Sequence, residues 1–224
     1  MIEKLDRYYK NSYERICNSG SIGFVSNLIH ILIERGKVKG SKKVRDFKDL
    51  RIIEVGAGHG QHRPYVKNYR EYIETDLRPE NLPPPNKYKD KSIDCTNLPF
   101  QESEFDRLIA TCLLAHLVNP EKALKEWKRV VKNHGIISIY VPCEPGIFLR
   151  LIQNITTRRK QKKLDSDAYL IHYLDHRSHY IAMKCFILHE FGEMNVQNKR
   201  YPFNFLTWNF NLFSIMTINV QKDR

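Results

Sequence analysis

The chain has 224 residues, enough for one α/β domain with a full hydrophobic core and too few for two large domains. Its 37 Lys and Arg against 25 Asp and Glu give a net charge of +12, which favours an anionic partner such as a phosphate-bearing substrate, a nucleic acid or an acidic membrane. The 5 cysteines never form a Cys-x-x-Cys pair, which argues against a disulfide framework or a zinc site and favours a reducing cytosol. Without a signal peptide or a long uninterrupted apolar stretch, we expect a soluble cytoplasmic protein.

The first segment, residues 1–36, is predicted to be helical. Apolar residues between Ile22 and Ile33 recur close to every 3.6 residues, and Gly36 is placed to stop the helix. Three tyrosines precede this stripe and could form a lid over a pocket or simply pack against the domain: Tyr8, Tyr9 and Tyr13. Residues 37–51 are rich in Lys and Arg and predict a solvated connector.

The most informative stretch is residues 51–61. The apolar residues between Ile52 and Val55 predict a buried strand, and Gly56, Gly58 and Gly60 follow it at a spacing of two. Glycine lets a ligand approach the backbone closely, so this pattern indicates a ligand-binding turn. A strand that merely ends in a tight turn is the plainer alternative.

A second strand, ending in an acidic residue, is predicted after a helix that contains Tyr65, Val66 and Tyr69. Asp76 lies 22 residues beyond Glu54, close to the spacing at which βαβ nucleotide-binding folds place a carboxylate for ribose hydroxyls. A carboxylate suits that role because it can accept hydrogen bonds from two adjacent hydroxyls. An ordinary Asp in a surface turn remains the alternative for this position.

Alternation of strands and helices continues through residue 141. A strand is predicted over 105–112, then a helix with Asn119 as N-cap, Pro120 at its first position and Gly135 at its end. Another apolar strand follows over 136–141. This alternation indicates a parallel, doubly wound sheet with a ligand at the carboxyl ends of its strands.

Four segments, taken in order, resemble the class I S-adenosylmethionine-dependent methyltransferases. Glu-Val-Gly-Ala-Gly-His-Gly at 54–60 is similar to that family's cofactor loop. Thr-Asp-Leu-Arg-Pro-Glu-Asn-Leu at 75–82 is similar to its second-strand segment, where the acid binds ribose. Asp-Cys-Thr-Asn-Leu-Pro-Phe at 94–100 resembles its adenine segment, and residues 113–132 its fourth-strand and following-helix signature. The Gly-x-Gly-x-Gly pattern speaks against a dinucleotide oxidoreductase, which has Gly-x-Gly-x-x-Gly.

The resemblance implies a cofactor, a fold and a set of cofactor-binding residues. The cofactor is S-adenosyl-L-methionine, with S-adenosyl-L-homocysteine as product. Independently of the resemblance, no metal is indicated, because Asp76, Asp94 and the histidines fall into no recognised ligand spacing. The fold is α/β, a doubly wound Rossmann-like, seven-stranded, mostly parallel sheet with an antiparallel last strand and helices on both faces. The implied cofactor-binding residues are Glu54, Gly56, Ala57, Gly58, Gly60, Asp76, Leu77, Asp94, Cys95, Thr111 and His116. For His116 a structural role is the first interpretation.

The whole chain is predicted to form one domain of four parts. An N-terminal helical lid or packing segment (1–50) precedes the cofactor-binding core (51–142), an acceptor-site insertion with its helix (143–192) and the last two strands (193–224). An amphipathic segment from 147 ends in a basic cluster at 158–163, which is either a solvated face or a docking patch for a phosphate or an anionic lipid headgroup.

Candidate catalytic residues come from Asp-His-Arg-Ser-His-Tyr at 175–180, which resembles a segment found in a subset of these methyltransferases. His176 and His179 are candidate general bases because imidazole titrates near neutral pH, although either could cap the following helix instead. The resemblance favours O-methylation of a small-molecule, sugar-phosphate or glycolipid acceptor in bacterial surface-polysaccharide biosynthesis. Contact with an anionic membrane fits the charge. An RNA methyltransferase and a non-catalytic cofactor-binding scaffold are the alternatives.

Overall fold

The computed structural model describes residues 20–36, 43–88, 90–155 and 176–222. Three sequence predictions lie outside these residues: the tyrosine lid (Tyr8, Tyr9 and Tyr13), the basic cluster at 158–163, and Asp175. The helices are α1 Gly20–Glu34, α2 Pro120–Val130, α3 Ile147–Ile155 and α4 Tyr180–Phe191. The strands are β1 Leu50–Val55, β2 Tyr69–Thr75, β3 Phe105–Ala110, β4 Val131–Pro142, β5 Val196–Tyr201 and β6 Phe213–Asn219.

All six strands form one sheet in the order β2-β1-β3-β4-β6-β5. β1 pairs in parallel with β2 and β3, β3 pairs in parallel with β4, and β6 runs antiparallel to both of its neighbours. The predicted α/β, doubly wound, mostly parallel sheet with an antiparallel last strand is therefore confirmed. The chain reverses its direction of winding between β1 and β3, where such sheets bind ligands.

The predicted count of seven strands is wrong for the described residues, which form six. No strand is present in the described residues between β2 and β3, and β2 is consequently the edge of the sheet. Three consecutive prolines, Pro83, Pro84 and Pro85, lie in this connection. Because proline has no backbone N–H to donate to a neighbouring strand, this part of the connection is poorly suited to extend the sheet.

Helices cover both faces of the sheet, as predicted. On one face Met216 and Ile218 of β6 join a large core cluster with residues of α2 and α4, including the fully buried Trp127. On the other face Phe213 and Ile215 contact Ile33 of α1. Successive side chains of a strand point to opposite faces of the sheet. Residues at even positions of β6 therefore face the large core cluster, and those at odd positions face α1.

Two predicted helix assignments are wrong. The connection from β1 to β2 contains a single 3-10 turn, Arg63–Tyr65, instead of a helix, and Tyr69 already belongs to β2. Pro64 is the second residue of that turn, and Asn68 adopts a φ of 60° immediately before the strand, so a regular helix cannot run into β2. Helix α2 ends at Val130 rather than at Gly135, because β4 begins directly at Val131.

Among the described residues, no helix is both long and apolar enough to cross a bilayer.

Candidate active site

A cavity of about 300 Å³ lies at the carboxyl ends of β1, β2 and β3. The loops that follow these strands supply most of its walls, as expected at the point where the winding of a doubly wound sheet reverses. Its lining residues are Gly56, Gly58, His59, Asp76, Leu77, Arg78, Asn81, Ile93, Asp94, Cys95, Thr111, Cys112, Leu113, His116 and Leu117.

The glycine loop after β1 leaves space for a ligand. Gly56 has a φ of 64°, which favours glycine, and a Cβ at this position would lie 2.7 Å from Cδ1 of Leu113, which would have to shift. Gly58 has a φ of 52°, and a Cβ there would meet nothing within 4 Å. Because Gly58 lines the cavity, the open space beside its backbone is where a ligand can approach closely.

Asp76 connects this loop to the end of β2. Its carboxylate accepts one hydrogen bond from the backbone N–H of Gly58 and one from that of Arg78, each at 2.8 Å. A carboxylate oxygen has two lone pairs, so these bonds leave capacity for hydroxyl donors from the cavity. Its position in the cavity wall suits the predicted contact with a ribose.

The far side of the cavity is formed by residues 93–95. The backbone N–H of Thr96 donates to the carboxylate of Asp94 at 2.8 Å, which fixes the turn. Ile93 and Cys95 are buried, and burial raises the pKa of Cys95 to about 12, so its thiol stays uncharged. An apolar wall beside one acidic group is suited to a flat heteroaromatic ring with an exocyclic amine.

Most of the predicted cofactor-binding residues line this cavity, and Glu54, Ala57 and Gly60 do not. Glu54 is fully buried below the loop, where its carboxyl accepts hydrogen bonds from Tyr72 Oη at 2.7 Å and Thr111 Oγ1 at 3.3 Å. Burial raises the pKa of Glu54 to about 8. Its side chain therefore supports the loop from beneath, mostly in the protonated form at neutral pH.

Seven of the lining residues were not predicted to bind the cofactor: His59, Arg78, Asn81, Ile93, Cys112, Leu113 and Leu117. Most of them are neighbours of predicted positions in the same three loops. The sequence therefore indicated which loops form the site. Which side chains of those loops face the cavity depends on backbone geometry.

A buried polar network joins α1 to the segment that follows the glycine loop. The guanidinium of Arg107, on β3, donates to both carboxylate oxygens of Glu34 at 2.7 and 3.1 Å. Nε2 of His62 lies 2.9 Å from Glu34 Oε1, and Nδ1 of His62 lies 2.9 Å from Nδ1 of His30. These contacts fix α1 relative to residues 56–62, and nothing in the local sequence pattern indicated them.

The network shifts the pKa values of its members strongly. Burial alone would raise the pKa of Glu34, but the Arg107 guanidinium and the hydrogen bond with His62 lower it to about 2. Burial, assisted by His62, lowers the pKa of His30 to about 3. Burial also lowers the pKa of His62, against the opposing effect of Glu34. At neutral pH the network therefore holds a Glu34–Arg107 ion pair and two neutral imidazoles.

A second, smaller cavity of about 120 Å³ adjoins the first. The two share Cys112 and His116 in their walls. Its lining residues come from the ends of β3 and β4, from α3 and from the segment before α4: Cys112, Ala115, His116, Tyr140, Pro142, Glu144, Leu149, Gln153 and His176.

The polar centre of this second cavity is a carboxylate–imidazole pair. Nδ1 of His176 lies 2.5 Å from Glu144 Oε2, and Gln153 Nε2 donates to Glu144 Oε1 at 3.0 Å. The ring of His116 meets that of His176 edge-on, with 4.6 Å between centroids. Burial raises the pKa of Tyr140 well above its usual value, which keeps its hydroxyl protonated.

The two candidate histidines stand in different surroundings. His176 lines the second cavity, whereas His179 lines neither cavity and is exposed at the start of α4. Nδ1 of His179 accepts a hydrogen bond at 3.3 Å from the backbone N–H of Ala182, so this side chain caps the helix.

Glu144, the partner of His176, was not predicted as a site residue. Glu144 lies just beyond the carboxyl end of β4, which is next to β3, and residues at this edge of a doubly wound sheet are candidates for ligand binding.

Residues 53–139 match the family model described as a methyltransferase domain. This range begins in β1 and ends in β4, and it includes the whole lining of the larger cavity. A search of curated proteins found no match.

Several solved methyltransferase structures share the fold. A SAM-dependent methyltransferase from Thermotoga maritima, described as a possible histamine N-methyltransferase, is 18% identical with a TM-score of 0.55, over 99% of this chain and 100% of that one. A Haloferax volcanii candidate methyltransferase, solved with the Trm112 methyltransferase activator, is 11% identical with a TM-score of 0.59, over 98% of each chain. The CurJ carbon methyltransferase is 15% identical with a TM-score of 0.56, over 96% of this chain and 59% of that one.

The methyltransferase-domain match confirms the predicted enzyme type and its cofactor, S-adenosylmethionine, with S-adenosylhomocysteine as the product. The solved structures show that the fold is shared. The site fits this cofactor, because the open backbone at Gly58 and the carboxylates of Asp76 and Asp94 lie around one cavity.

Proposed function

We propose that this class I S-adenosylmethionine-dependent methyltransferase methylates a hydroxyl oxygen of a small-molecule or sugar acceptor, with His176 as general base. The observation that carries the proposal is the Glu144–His176 pair, which lines a small cavity beside the cofactor cavity. His116 and Cys112 belong to the walls of both cavities, so an acceptor in the smaller one lies next to the cofactor. His179 is left out of the proposal because it caps α4.

The reaction needs a nucleophilic oxygen, and the His176 environment supplies the means to generate it. A carboxylate only accepts hydrogen bonds, so Nδ1 of His176 donates to Glu144 and Nε2 is the ring nitrogen that can take up a proton. Bound S-adenosylmethionine supplies an electrophilic sulfonium methyl group. Nε2 of His176 would take up the proton that the acceptor hydroxyl loses when its oxygen is methylated.

The residues of the chain also position the acceptor. Much of the rate of a displacement comes from holding the two reacting atoms close together and in line, and a small cavity does so well. Tyr140 and Gln153 offer hydrogen-bonding groups beside His176, and Leu149 and Pro142 offer apolar contact. Mixed walls of this kind suit a ring that carries hydroxyls on apolar carbons, such as a sugar.

The proposed biological setting is bacterial surface-polysaccharide biosynthesis, in which the acceptor is a sugar phosphate or glycolipid. Support comes from the resemblance of residues 175–180 to a methyltransferase segment and from the net charge of +12, which suits an acceptor that carries phosphate. The proposed location is the cytoplasm, with peripheral contact to an anionic membrane surface.

The test is methyl transfer to fractionated cell-envelope precursors. The enzyme and cofactor are incubated with each fraction, S-adenosylhomocysteine release is measured, and mass spectrometry locates a product heavier by one methyl group. Release that depends on a sugar-containing fraction, with the methyl on oxygen, supports the proposal. Methylation of an RNA fraction, or of a nitrogen or carbon atom, would contradict it.

A further inference from the structure

One surface of the protein carries apolar side chains that the fold does not bury. Helix α3 exposes Ile147, Leu151 and Ile155, spaced four residues apart along one stripe, while its opposite side supplies Leu149 and Gln153 to the small cavity. Exposed apolar residues that stand singly need no explanation, but a contiguous group marks an interaction site.

A loop beside α3 extends this stripe with aromatic residues. Phe203, Phe205 and Phe210 are exposed, Phe205 to 84% of its surface. The ring of Phe148 on α3 lies 6.0 Å from that of Phe203, and the Phe203 ring lies 6.2 Å from that of Phe205. Helix α3 and residues 203–210 therefore form one continuous surface, called here the aromatic face.

The loop is held rigidly in the conformation that exposes these rings. The fully buried side chain of Asn211 accepts from the N–H of Phe203 at 2.8 Å and donates to the carbonyls of Phe203 and Thr207 at 3.0 and 2.9 Å. Trp208 stacks on the buried Tyr180, with 5.6 Å between ring centroids. These contacts fix the backbone on both sides of Phe205, whose exposed ring is thereby presented to a partner.

Charge indicates which partner the aromatic face meets. The sequence contains no Asp or Glu from 145 to 163 or from 194 to 222, whereas Arg150 is exposed on α3 and Arg200 bonds to Asn204 at the start of the loop. Residues 158–163 add five further positive charges to the sequence after α3. Exposed Phe, Leu and Ile in segments whose charged residues are cationic match an anionic lipid surface, which offers an apolar interior beneath negative headgroups.

We propose that the aromatic face docks the enzyme on an anionic phospholipid bilayer. The exposed rings of the loop and the outer side of α3 enter the boundary between headgroups and acyl chains, and Arg150 and Arg200 contact the headgroups. Because the inner side of α3 lines the small cavity, docking brings the acceptor site close to the membrane. Docking extends the proposed function by indicating that the acceptor is presented from the bilayer.

The test is co-sedimentation of the full chain with vesicles. Vesicles of phosphatidylcholine alone are compared with vesicles that contain about 30% phosphatidylglycerol, at low and high salt. The test variant combines Phe205→Ser with Leu151→Ser. The matched control is Phe24→Ser, which removes a phenylalanine 70% exposed on α1, outside the aromatic face. Since the substituted side chains are exposed, circular dichroism and thermal unfolding should be unchanged.

We expect the wild type to bind the anionic vesicles in a salt-sensitive manner, Phe24→Ser to bind equally, and the double variant to bind about tenfold or more weakly. Equal binding by the double variant, equal loss in Phe24→Ser, or no binding by the wild type would overturn membrane docking. Self-association of the wild type that the double variant abolishes, without vesicle binding, would instead make the face a dimer contact. Methyl transfer to a soluble acceptor is measured in parallel, so a failure of docking is distinguished from a failure of the proposed reaction.

Discussion

At the scale of single residues, His176 and His179 form a natural pair for testing the proposed general base. They share one short segment, yet His176 contacts Glu144 in the small cavity and His179 caps α4. His176→Ala should lower kcat by about 10²–10⁴-fold, the range typical of general-base removal, with the dissociation constant for S-adenosylmethionine unchanged. Steady-state kinetics and calorimetry measure the two quantities.

His179→Ala is the matched control for that prediction. It should leave kcat close to that of the wild type and lower the free energy of unfolding by about 0.5–2 kcal/mol through loss of the helix cap. Wild-type turnover by His176→Ala would remove His176 from the mechanism, and a greater loss of turnover in His179→Ala would exchange the two assignments.

Asp76 is the residue whose substitution tests the cofactor site. Asp76→Ala should weaken S-adenosylmethionine binding by about 1–3 kcal/mol, because the ribose loses charge-assisted hydrogen bonds and Gly58 loses the acceptor of its N–H. Isothermal titration calorimetry provides the measurement. Asp90→Ala is the control, since Asp90 is exposed and does not line the cavity. An unchanged affinity in Asp76→Ala would place the ribose elsewhere.

At the scale of secondary-structure elements, the attachment of α1 depends on the buried pair of Glu34 and Arg107. Glu34→Leu leaves the guanidinium of Arg107, which is 1% exposed, without its carboxylate. We expect a loss of about 3–5 kcal/mol in the free energy of unfolding, measured by urea denaturation, because a buried charge loses its partner. Glu121→Leu, on the exposed side of α2, should change stability by less than about 0.5 kcal/mol.

A second variant separates the ion pair from the packing of α1. Glu34→Leu combined with Arg107→Leu removes both charges, and two apolar side chains can replace a buried pair at little cost. The double variant should therefore be more stable than Glu34→Leu alone. If it is less stable, the cost of Glu34→Leu lies in the packing of α1 and not in an unpaired charge.

The elements that the sequence predicted well are those whose signal is local. The run from Ile52 to Gly60 contains both the strand and the turn, and Asp76 follows at a spacing that the βαβ geometry sets. The helix predicted around Tyr65 is wrong: it rested on Tyr65, Val66 and Tyr69, whereas Pro64 lies in a short 3-10 turn, Arg63–Tyr65. The seventh strand was expected from the family resemblance alone. The prolines at 83–85 disfavour a strand there because they lack the backbone N–H that pairs with a neighbouring strand.

The parts of the site that the sequence could not predict depend on contacts between distant segments. Glu144 meets His176 across 32 positions, and Glu34 meets Arg107 across 73. Each of these residues is an ordinary polar position in its own segment, and only packing of the sheet against α1 and α3 brings the partners together. Their roles therefore become visible only in three dimensions.

At the scale of the whole molecule, buried titratable groups set how stability depends on pH. His30 and His62 have folded pKa values below the ordinary 6.5, and that of Glu34, about 2, lies below 4.5. Their unfolded forms bind protons that the folded forms do not. Stability should therefore fall as the pH is lowered through 6.5, and more steeply below about 4.5, where Glu34 adds to the two histidines.

Glu54 acts in the opposite direction, because its folded pKa of about 8 lies above the ordinary 4.5. The folded protein holds this proton more tightly than the unfolded chain, so the stability it contributes is complete below pH 4.5 and is lost as the pH rises towards 8. The histidines are already neutral in both states above about pH 6.5. Within this set, Glu54 alone therefore lowers stability between pH 6.5 and 8, by up to about 1.4 kcal/mol per pH unit.

Glu54→Gln isolates this contribution. The amide keeps the size of the protonated acid, its oxygen can accept from Tyr72, and its nitrogen can donate to Thr111 Oγ1. Urea denaturation at several pH values should show the wild type losing stability from pH 6.5 to 8, while Glu54→Gln stays nearly constant over that range. The two proteins should lose stability alike only below about pH 4.5, where Glu54 is protonated in both the folded and the unfolded chain while the histidines and Glu34 act equally in both proteins. A parallel decline of the two proteins above pH 6.5 would mean that Glu54 is ionised in the folded protein at neutral pH.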